Sequence, residues 1–303
     1  MSSSKNILKI AGLFFFTGAS LVFAGEPPAP EPAKLVVTDA TPVEPGGVEL
    51  NFVYTLLGSK KQWATDGGRH SRKLLREHAF DSVVNIGLFR GFDVGIAQGF
   101  SLLTDKENNY DETGGEVDPA TGEPLDATDG PHRGHGRSDL AVNGRWVFYQ
   151  AQEESLRFAY IPSVVIPTGR RSNYDHLGPS QGYPSMGNLL AVTKDFRRWT
   201  ATANAAYEVP LQNRRHTEDA AGTLSFGLGA GYQLFSWFQP EAEILYGQDF
   251  EVEGKGAKGV SVAVGAILPV HEHFRFDLGL VQDIAGSGRE QATSGVFKLI
   301  VLV

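Results

Sequence analysis

Charged and amide side chains stand singly at alternate positions of otherwise apolar segments, and they are the residues of this sequence best suited to chemistry. Both signs of charge are present, so members that share one enclosed space would form ion pairs, because an unpaired buried charge is costly. The same groups could also line the path of a solute and tune its selectivity, and the two roles are compatible. The set consists of Asp81, Asp139, Asn143, Arg145, Arg157, Asn204, Glu208, Glu241, Glu243, Arg275, Asp277 and Lys298.

Patterns typical of catalysis are incomplete. His78 and Ser82 lie four residues apart and could supply a base and a nucleophile, but no convincing orienting residue accompanies them. The GLGAG stretch at 227–231 resembles a phosphate-binding loop, yet its glycines alternate and no helix is expected to follow. Alternating glycines leave room on one face of a strand or let it bend. The sequence therefore predicts no catalytic residue and no cofactor, with a membrane-embedded hydrolase as the alternative.

Metal ligation is suggested by the acidic stretch 105–136. Its side chains offer oxygen ligands of the kind that Ca²⁺ prefers, and it also contains His132 and His135. The spacing typical of structural zinc is missing. We interpret the stretch as a solvated loop and predict no metal site. Its acidic residues include Asp105, Glu107, Asp111, Glu112, Glu116 and Asp118.

The elements that must hold these side chains are β-strands. In residues 198–211, RWTATANAAYEVPL, alternate residues from Trp199 onward are apolar, and those between are small or polar. Such alternation is typical of a strand between two different environments. A soluble sandwich would turn the apolar face inward. A transmembrane barrel would turn it outward to lipid, with aromatic residues such as Trp199 and Tyr207 at the two interfaces.

Strand length and loop length favour the barrel. About twelve alternating segments run for roughly 10 to 14 residues, which fits a membrane strand of about 9–11 residues better than a soluble strand of about 5–6. Short and long connections alternate along the chain, as in outer-membrane barrels with short periplasmic turns and long extracellular loops. The predicted long loops are 58–77, 105–136, 167–186, 211–222, 251–258 and 285–293, and the short turns lie at 90–91, 151–154, 197–198, 236 and 271–273.

The N-terminal region divides into two segments ahead of the barrel. Residues 1–24 combine Lys5 and Lys9 with an apolar run and a small-residue exit, which predicts a cleaved signal peptide. Residues 25–46 are rich in Pro and Glu and predict a periplasmic linker. A short strand or plug at residues 35–37 is the alternative for part of this segment.

Composition excludes several classes of protein. The chain contains no cysteine, so it is neither a disulfide scaffold nor a lipoprotein acylated at a cysteine. Its net charge of −8 argues against nucleic acid as a partner. No segment after the leader is apolar enough for a transmembrane helix. A mature chain that crosses a membrane must therefore be a barrel, since only helices and closed barrels satisfy the backbone in lipid.

Two stretches carry a family resemblance. The sequences GRSDLAVNGRWVF (136–148) and FAYIPSVVIPTGRRSNYDHLG (158–178) resemble the outer-membrane family named for the MetA pathway of phenol degradation. The shared features are a Gly-x-x-Asp-Leu strand start and a strand end at Pro167, Thr168 and Gly169. The resemblance implies an outer-membrane barrel that imports small hydrophobic or aromatic compounds. One departure is the C-terminal KLIVLV, which lacks the terminal aromatic residue of many outer-membrane barrels.

These patterns together predict an all-β protein, a transmembrane antiparallel up-and-down β-barrel of about twelve strands over residues 47–303. The expected function is an outer-membrane channel or facilitator for small molecules, and not an enzyme. The alternatives are a barrel hydrolase and a structural or adhesive barrel with large extracellular loops. The expected partners are outer-membrane lipid, a small-molecule solute and the barrel-assembly machinery, with no nucleic acid.

Overall fold

The computed structural model describes residues 34–106, 132–151, 155–171, 177–211, 221–250 and 256–303. Thirteen strands in these ranges form one antiparallel sheet that closes on itself. They are β1 (Val48–Trp63), β2 (Arg69–Phe89), β3 (Phe92–Asp105), β4 (His132–Arg137), β5 (Leu140–Gln150), β6 (Leu156–Ile166), β7 (Ser185–Phe196), β8 (Trp199–Pro210), β9 (Gly222–Tyr232), β10 (Gln239–Phe250), β11 (Lys258–His271), β12 (Phe274–Ser287) and β13 (Arg289–Leu302). The ring is closed because β1 pairs with both β2 and β13, and β2 also pairs with β3.

β4 and β5 share one position in the barrel wall. β3 pairs with β4 over residues 100–105 and with β5 over residues 92–97. The two short strands therefore form one strand that is interrupted at Ser138 and Asp139. The wall has twelve strand positions, so the predicted up-and-down barrel of about twelve strands is confirmed.

The wall has an apolar outer face and a polar inner face. Phe80, Leu228 and Leu280 on the outer face are 50%, 58% and 60% exposed, whereas Arg145 and Asp277 on the inner face are fully buried. An exposed apolar belt of this extent is typical of a surface that contacts lipid. The soluble sandwich, which would bury the apolar face, is therefore excluded. Within the ranges given above, no helix is long and apolar enough to cross a bilayer.

Two of the predicted long loops are tight hairpins instead. β1 and β2 cover most of the predicted loop 58–77, and β12 and β13 cover nearly all of 285–293. Gly67 and Gly288 close these hairpins with φ of 85° and 67°, a conformation that glycine adopts without a steric penalty. Both faces of a strand contact water where it extends beyond the bilayer, so apolar and polar residues no longer alternate there. The alternation in the sequence therefore does not indicate the full length of these strands.

The predicted linker is wrong for residues 34–43, which lie inside the barrel and are called the lumen segment below. Lys34, Val37, Thr38, Asp39 and Ala40 are fully buried. The Pro- and Glu-rich composition that suggested a linker is concentrated in residues 26–33, which lie outside the described residues, as does the predicted signal peptide. Half of the residues of the lumen segment are Leu, Val or Ala. Its backbone can be buried with them because the barrel wall supplies hydrogen-bond partners.

The lumen segment joins β1 through a turn at the periplasmic rim. The Gly46 N–H donates to the Gly87 carbonyl at 2.8 Å, and the Gly47 N–H donates to the Glu44 carbonyl at 2.9 Å. A Cβ at Gly87 would stand 2.0 Å from the Glu44 carbonyl oxygen. A glycine at position 87 is therefore required for the turn to pass this close to β2.

Candidate lumen site

The twelve predicted lumen residues share the inner side of the structure. All except Asp139 lie on strands of the wall with their side chains on its inner face, and Asp139 lies in the break between β4 and β5. Their distribution around the ring brings several of them against the lumen segment. The residues that contact this segment are Arg145, Arg157, Asn204, Glu241, Glu243 and Lys298.

Glu243 holds the start of the lumen segment. Its carboxylate accepts the Val36 N–H at 2.9 and 3.1 Å and the Val37 N–H at 3.0 Å. Lys34 adds an ion pair with Glu241 at 3.5 Å, and the Lys298 ammonium donates to the Lys34 carbonyl at 3.1 Å. Charge-assisted hydrogen bonds of this kind contribute about 1.5–3 kcal/mol each, so this end is firmly docked.

Asn204 binds the middle of the segment as a neighbouring strand would. Its carbonyl oxygen accepts the Thr38 N–H at 2.7 Å, and its amide donates to the Thr38 carbonyl at 2.6 Å. Two residues further on, the Ala40 N–H donates to the Thr193 hydroxyl at 2.8 Å, and Thr193 lies 3.0 Å from the Thr202 hydroxyl. Side chains of β7 and β8 thus satisfy the backbone of a segment that belongs to no strand.

Arginines and an aspartate hold the last part of the segment. Arg145 donates to the Thr41 carbonyl, and Arg157 donates to the Thr41 hydroxyl at 3.0 Å and to Asp195 at 2.9 Å. The Val43 N–H donates to the Asp93 carboxylate at 2.9 Å. Asp93 also faces Arg145 at 3.8 Å, with both side chains fully buried.

Sequence reasoning missed Asp93 and Thr193. The alternation of apolar and small or polar residues in β3 is clear from Val94 onward, and extending it by one position assigns Asp93 to the inner face. Thr193 lies in a segment whose apolar alternation is weak, so its orientation was not predicted. A threonine also has no charge that would single it out.

The alternating glycines form a shelf under the apolar residues of the lumen segment. A Cβ at Gly227 or Gly229 would lie 2.4 or 2.8 Å from a methyl carbon of Val37, and one at Gly265 would lie 2.8 Å from Leu35. These contacts are closer than carbon atoms tolerate. The interpretation of GLGAG as space inside the barrel, and not as a phosphate loop, agrees with this packing.

Asp139 anchors an extracellular connection and does not line the lumen path. Its carboxylate accepts the Gly169 N–H at 2.9 Å, the Ser180 hydroxyl at 2.6 Å and the Gln181 N–H at 3.0 Å. The Thr168 hydroxyl accepts the Leu140 N–H at 3.1 Å. The Pro-Thr-Gly strand end that begins at Pro167 is therefore bound to the Gly-x-x-Asp-Leu strand start.

An acidic cluster lies at the extracellular mouth beside Tyr183. The Ser185 hydroxyl donates to Glu208 at 2.5 Å, and the Thr223 hydroxyl donates to Asp249 at 2.7 Å. Burial, and then the nearby carboxylates of Glu208, Asp249 and Asp139, raise the pKa of the Tyr183 phenol above its ordinary value. Three carboxylates therefore lie near the Tyr183 phenol on this side of the mouth.

Comparison with known proteins identifies the family. The family described as "Putative MetA-pathway of phenol degradation" matches residues 67–299, which span most of the barrel. The chain belongs to this family. No curated protein matches the sequence.

Solved outer-membrane barrels share the fold of this family member. The COG4313 outer membrane channel from Pseudomonas putida F1 is 12% identical, with a TM-score of 0.71 over 88% of this chain and 98% of that chain. The beta domain of the Bordetella autotransporter BrkA is 11% identical, with a TM-score of 0.51 over 84% and 99%. The translocator domain of NalP from Neisseria meningitidis is 13% identical, with a TM-score of 0.50 over 84% and 88%. The shared fold and the apolar belt locate the protein in the outer membrane.

His78 and Ser82, the candidate base and nucleophile, both face outward in this family member. The Tyr54 hydroxyl oxygen lies 2.8 Å from His78 Nδ1. Ser82 is exposed on the same face as Phe80, within the apolar belt. A hydrolase needs water at its nucleophile, and a side chain directed into lipid does not provide that environment.

Potential metal ligands cluster at a periplasmic turn of the family member. His271, Glu272 and His273 are exposed, and one ligand atom from each lies within 4.8 Å of the others. His273 Nδ1 is 3.1 Å from the Leu302 carbonyl oxygen. The acidic stretch 105–136, which offers oxygen ligands of the kind that Ca²⁺ prefers, lies mostly outside the described residues. The centroid of the His135 ring lies 6.2 Å from that of Phe100.

Proposed function

We propose that the protein is an outer-membrane channel or facilitator for small molecules, and that the lumen segment sets the width of its path. The observation that carries the proposal is the way the inner face is used. Glu243, Asn204 and Arg145 bond the lumen segment, which lies inside the barrel, is not one of the strands of the wall and continues into β1. Contacts of this kind can be released without opening the barrel.

Spare hydrogen-bonding capacity on the inner face supports a solute path. Both polar atoms of the Asn143 amide, and the Arg145 Nε, are buried with no hydrogen-bond partner among the described residues. One carboxylate oxygen of Asp93 is likewise buried with no hydrogen-bond partner among the described residues. Since buried polar atoms in native proteins are nearly always satisfied, these groups are suited to bonding water or a solute that passes between β3 and β5 and the lumen segment.

Apolar residues on the other side of the lumen support small hydrophobic or aromatic compounds as the solutes. Leu35 and Val37 pack with Leu245 and Ala263 in one buried cluster. Release of the lumen segment would expose this cluster, so that the path would have a polar side and an apolar side. Such a path suits a molecule with an aromatic ring and one polar group. The family description, which names phenol degradation, agrees with this class of solute.

Planar-bilayer conductance tests the proposal. Glu243→Ala combined with Asn204→Ala removes the anchors of Val36, Val37 and Thr38, so the open-channel conductance should rise several-fold over that of the wild type. Glu208→Ala is the matched control, because Glu208 lies on the inner face but bonds Ser185 and not the lumen segment.

Uptake measurements test the solute class. A porin-deficient host that produces the protein should take up a labelled phenolic acid faster than a disaccharide of similar size. No conductance through either the wild type or the Glu243→Ala, Asn204→Ala double variant, together with no uptake of either solute, would refute a channel and would favour the structural or adhesive barrel. Hydrolysis of an ester by the purified protein would favour the barrel enzyme.

A further inference from the structure

Two clefts adjoin on the outer face of the wall, where β12, β13 and β1 lie side by side. The lower cleft measures about 460 Å³ and is apolar, and the upper cleft measures about 550 Å³ and lies toward the extracellular hairpins. The lower cleft is lined by Tyr54, Leu56, Leu278, Leu280, Gly295 and Phe297. The upper cleft is lined chiefly by Gly58, Lys60, Lys61, Arg69, Gln282 and Thr293.

The two clefts are continuous because each of the three strands contributes to both. On β1, Leu56 lines the lower cleft and Gly58 the upper one, and on β13 the corresponding pair is Gly295 and Thr293. Outward-facing residues two apart on a strand are separated by about 7 Å. Gly58 is paired in register with Thr293, so the groove crosses between neighbouring strands.

Glycine keeps the groove open. A Cβ built at Gly58 or at Gly295 would meet no atom within 4 Å. Neither glycine has a positive φ, so backbone conformation does not require it. Bulky side chains occupy outward positions elsewhere in the belt, such as Leu228 and Ile96. At these two positions the small residue leaves a channel in the lipid-facing surface.

The residues that line the upper cleft have a net positive charge, with Lys60, Lys61 and Arg69 against Asp283. Lys60, Lys61 and Arg69 are exposed, and within the part of the chain that the structure describes no carboxylate pairs with Lys60 or Lys61. The carboxylate that lines the cleft, Asp283, is 6% exposed and accepts the Ser261 hydroxyl at 2.5 Å and the Ala292 N–H at 2.9 Å. This cationic surface occurs in a chain whose net charge is −8.

We propose that the two clefts together bind one molecule of lipid A, the phosphorylated glycolipid of the outer leaflet. A phosphate lies among Lys60, Lys61 and Arg69, and one acyl chain follows the lower cleft over Gly295. Clustered cations at a membrane surface attract anionic headgroups. The lower cleft opens to the hydrocarbon region, so its occupant is an amphiphile anchored in the bilayer and not a free solute.

Native mass spectrometry of the full-length protein with defined lipids tests the charged part of the site. Lys60→Glu combined with Lys61→Glu should lower the affinity for bisphosphorylated lipid A at least tenfold. The matched control is Lys194→Glu combined with Lys258→Glu, two exposed lysines that do not line the cleft, and it should stay within twofold of the wild type. An equal loss in both pairs would refute the site, as would equal binding of a phosphate-free lipid A analogue.

The acyl groove is tested separately. Gly295→Leu should fold normally, as judged by heat-modifiable gel mobility, but should bind lipid A several-fold more weakly. Ala242→Leu places the same side chain on the exposed face of β10 and should leave binding unchanged. Displacement of lipid A by an equal concentration of phosphatidylglycerol would show a generic anionic-lipid surface and would overturn the assignment. These outcomes do not depend on whether the lumen conducts.

Discussion

The two faces of β8 obey opposite rules although they share one backbone. Trp199 and Tyr207 on the outer face are 50% and 42% exposed, and Ala201, Ala203 and Ala205 between them also face outward. On the inner face Thr200 and Thr202 are buried, and Asn204 bonds Thr38. The difference shows that the solvent on each side decides the residue type: lipid selects apolar residues, and a second piece of polypeptide selects hydrogen-bonding side chains.

The largest effect is expected when a charge is placed on the lipid face. Ala203 lies midway between Trp199 and Tyr207, so Ala203→Arg puts a guanidinium near the bilayer midplane, which costs about 2–4 kcal/mol. Asn204→Arg, one residue later, directs the same group into the lumen, where carboxylates can pair with it. The unfolding free energy of each variant in lipid vesicles, measured by urea titration, should fall much more for Ala203→Arg.

This pair of variants also tests the register. A shift of one residue would exchange the two faces of the strand. Equal costs, or a larger cost for Asn204→Arg, would show that β8 is oriented opposite to the structure.

An intermediate effect is expected when a side chain is added to the glycine shelf. Gly227→Leu places a Cβ 2.4 Å from Val37 Cγ1, and overpacking of this kind costs about 1–3 kcal/mol. The lumen segment should give way before the wall does, because its contacts are fewer than those of a paired strand. The protein has no natural cysteine, so a Thr38→Cys reporter should react faster with a water-soluble maleimide in the Gly227→Leu background.

Gly247→Leu is the matched control for the shelf. Gly247 is also within a strand, and a Cβ there would meet no atom within 4 Å. The reporter at Thr38 should react at the unmodified rate in this background. Faster reaction in both backgrounds would indicate a general loosening of the barrel and would contradict the specific role of the shelf.

The sequence predicted the wall well and its contents poorly, for a physical reason. Alternation depends on neighbours in the sequence, so the strands and the inward direction of residues such as Asn204 and Lys298 could be read directly. The partner of an inward residue lies far along the chain: Lys298 bonds Lys34 across a sequence separation of 264 residues. No local pattern encodes that pairing, so a Pro- and Glu-rich stretch predicted a linker where its continuation is a lumen segment.

The smallest effect is expected when the charge of one inward-facing carboxylate is removed and the size of its side chain is kept. Glu243→Gln keeps one carbonyl oxygen that can accept from Val36 or Val37 but loses the charge and the second acceptor, and the difference between charged and neutral hydrogen bonds is about 1 kcal/mol. The Thr38→Cys reporter should therefore label about fivefold faster in this variant, since about 1.4 kcal/mol corresponds to tenfold. Urea unfolding of the barrel should be unchanged within error, because the wall hydrogen bonds of β10 are intact.

Glu208→Gln, on the same face but bonded to Ser185, should change neither measurement. If Glu208→Gln released the reporter as strongly as Glu243→Gln, the lumen segment would be held by the overall negative charge of the inner face and not by the individual contacts of Glu243.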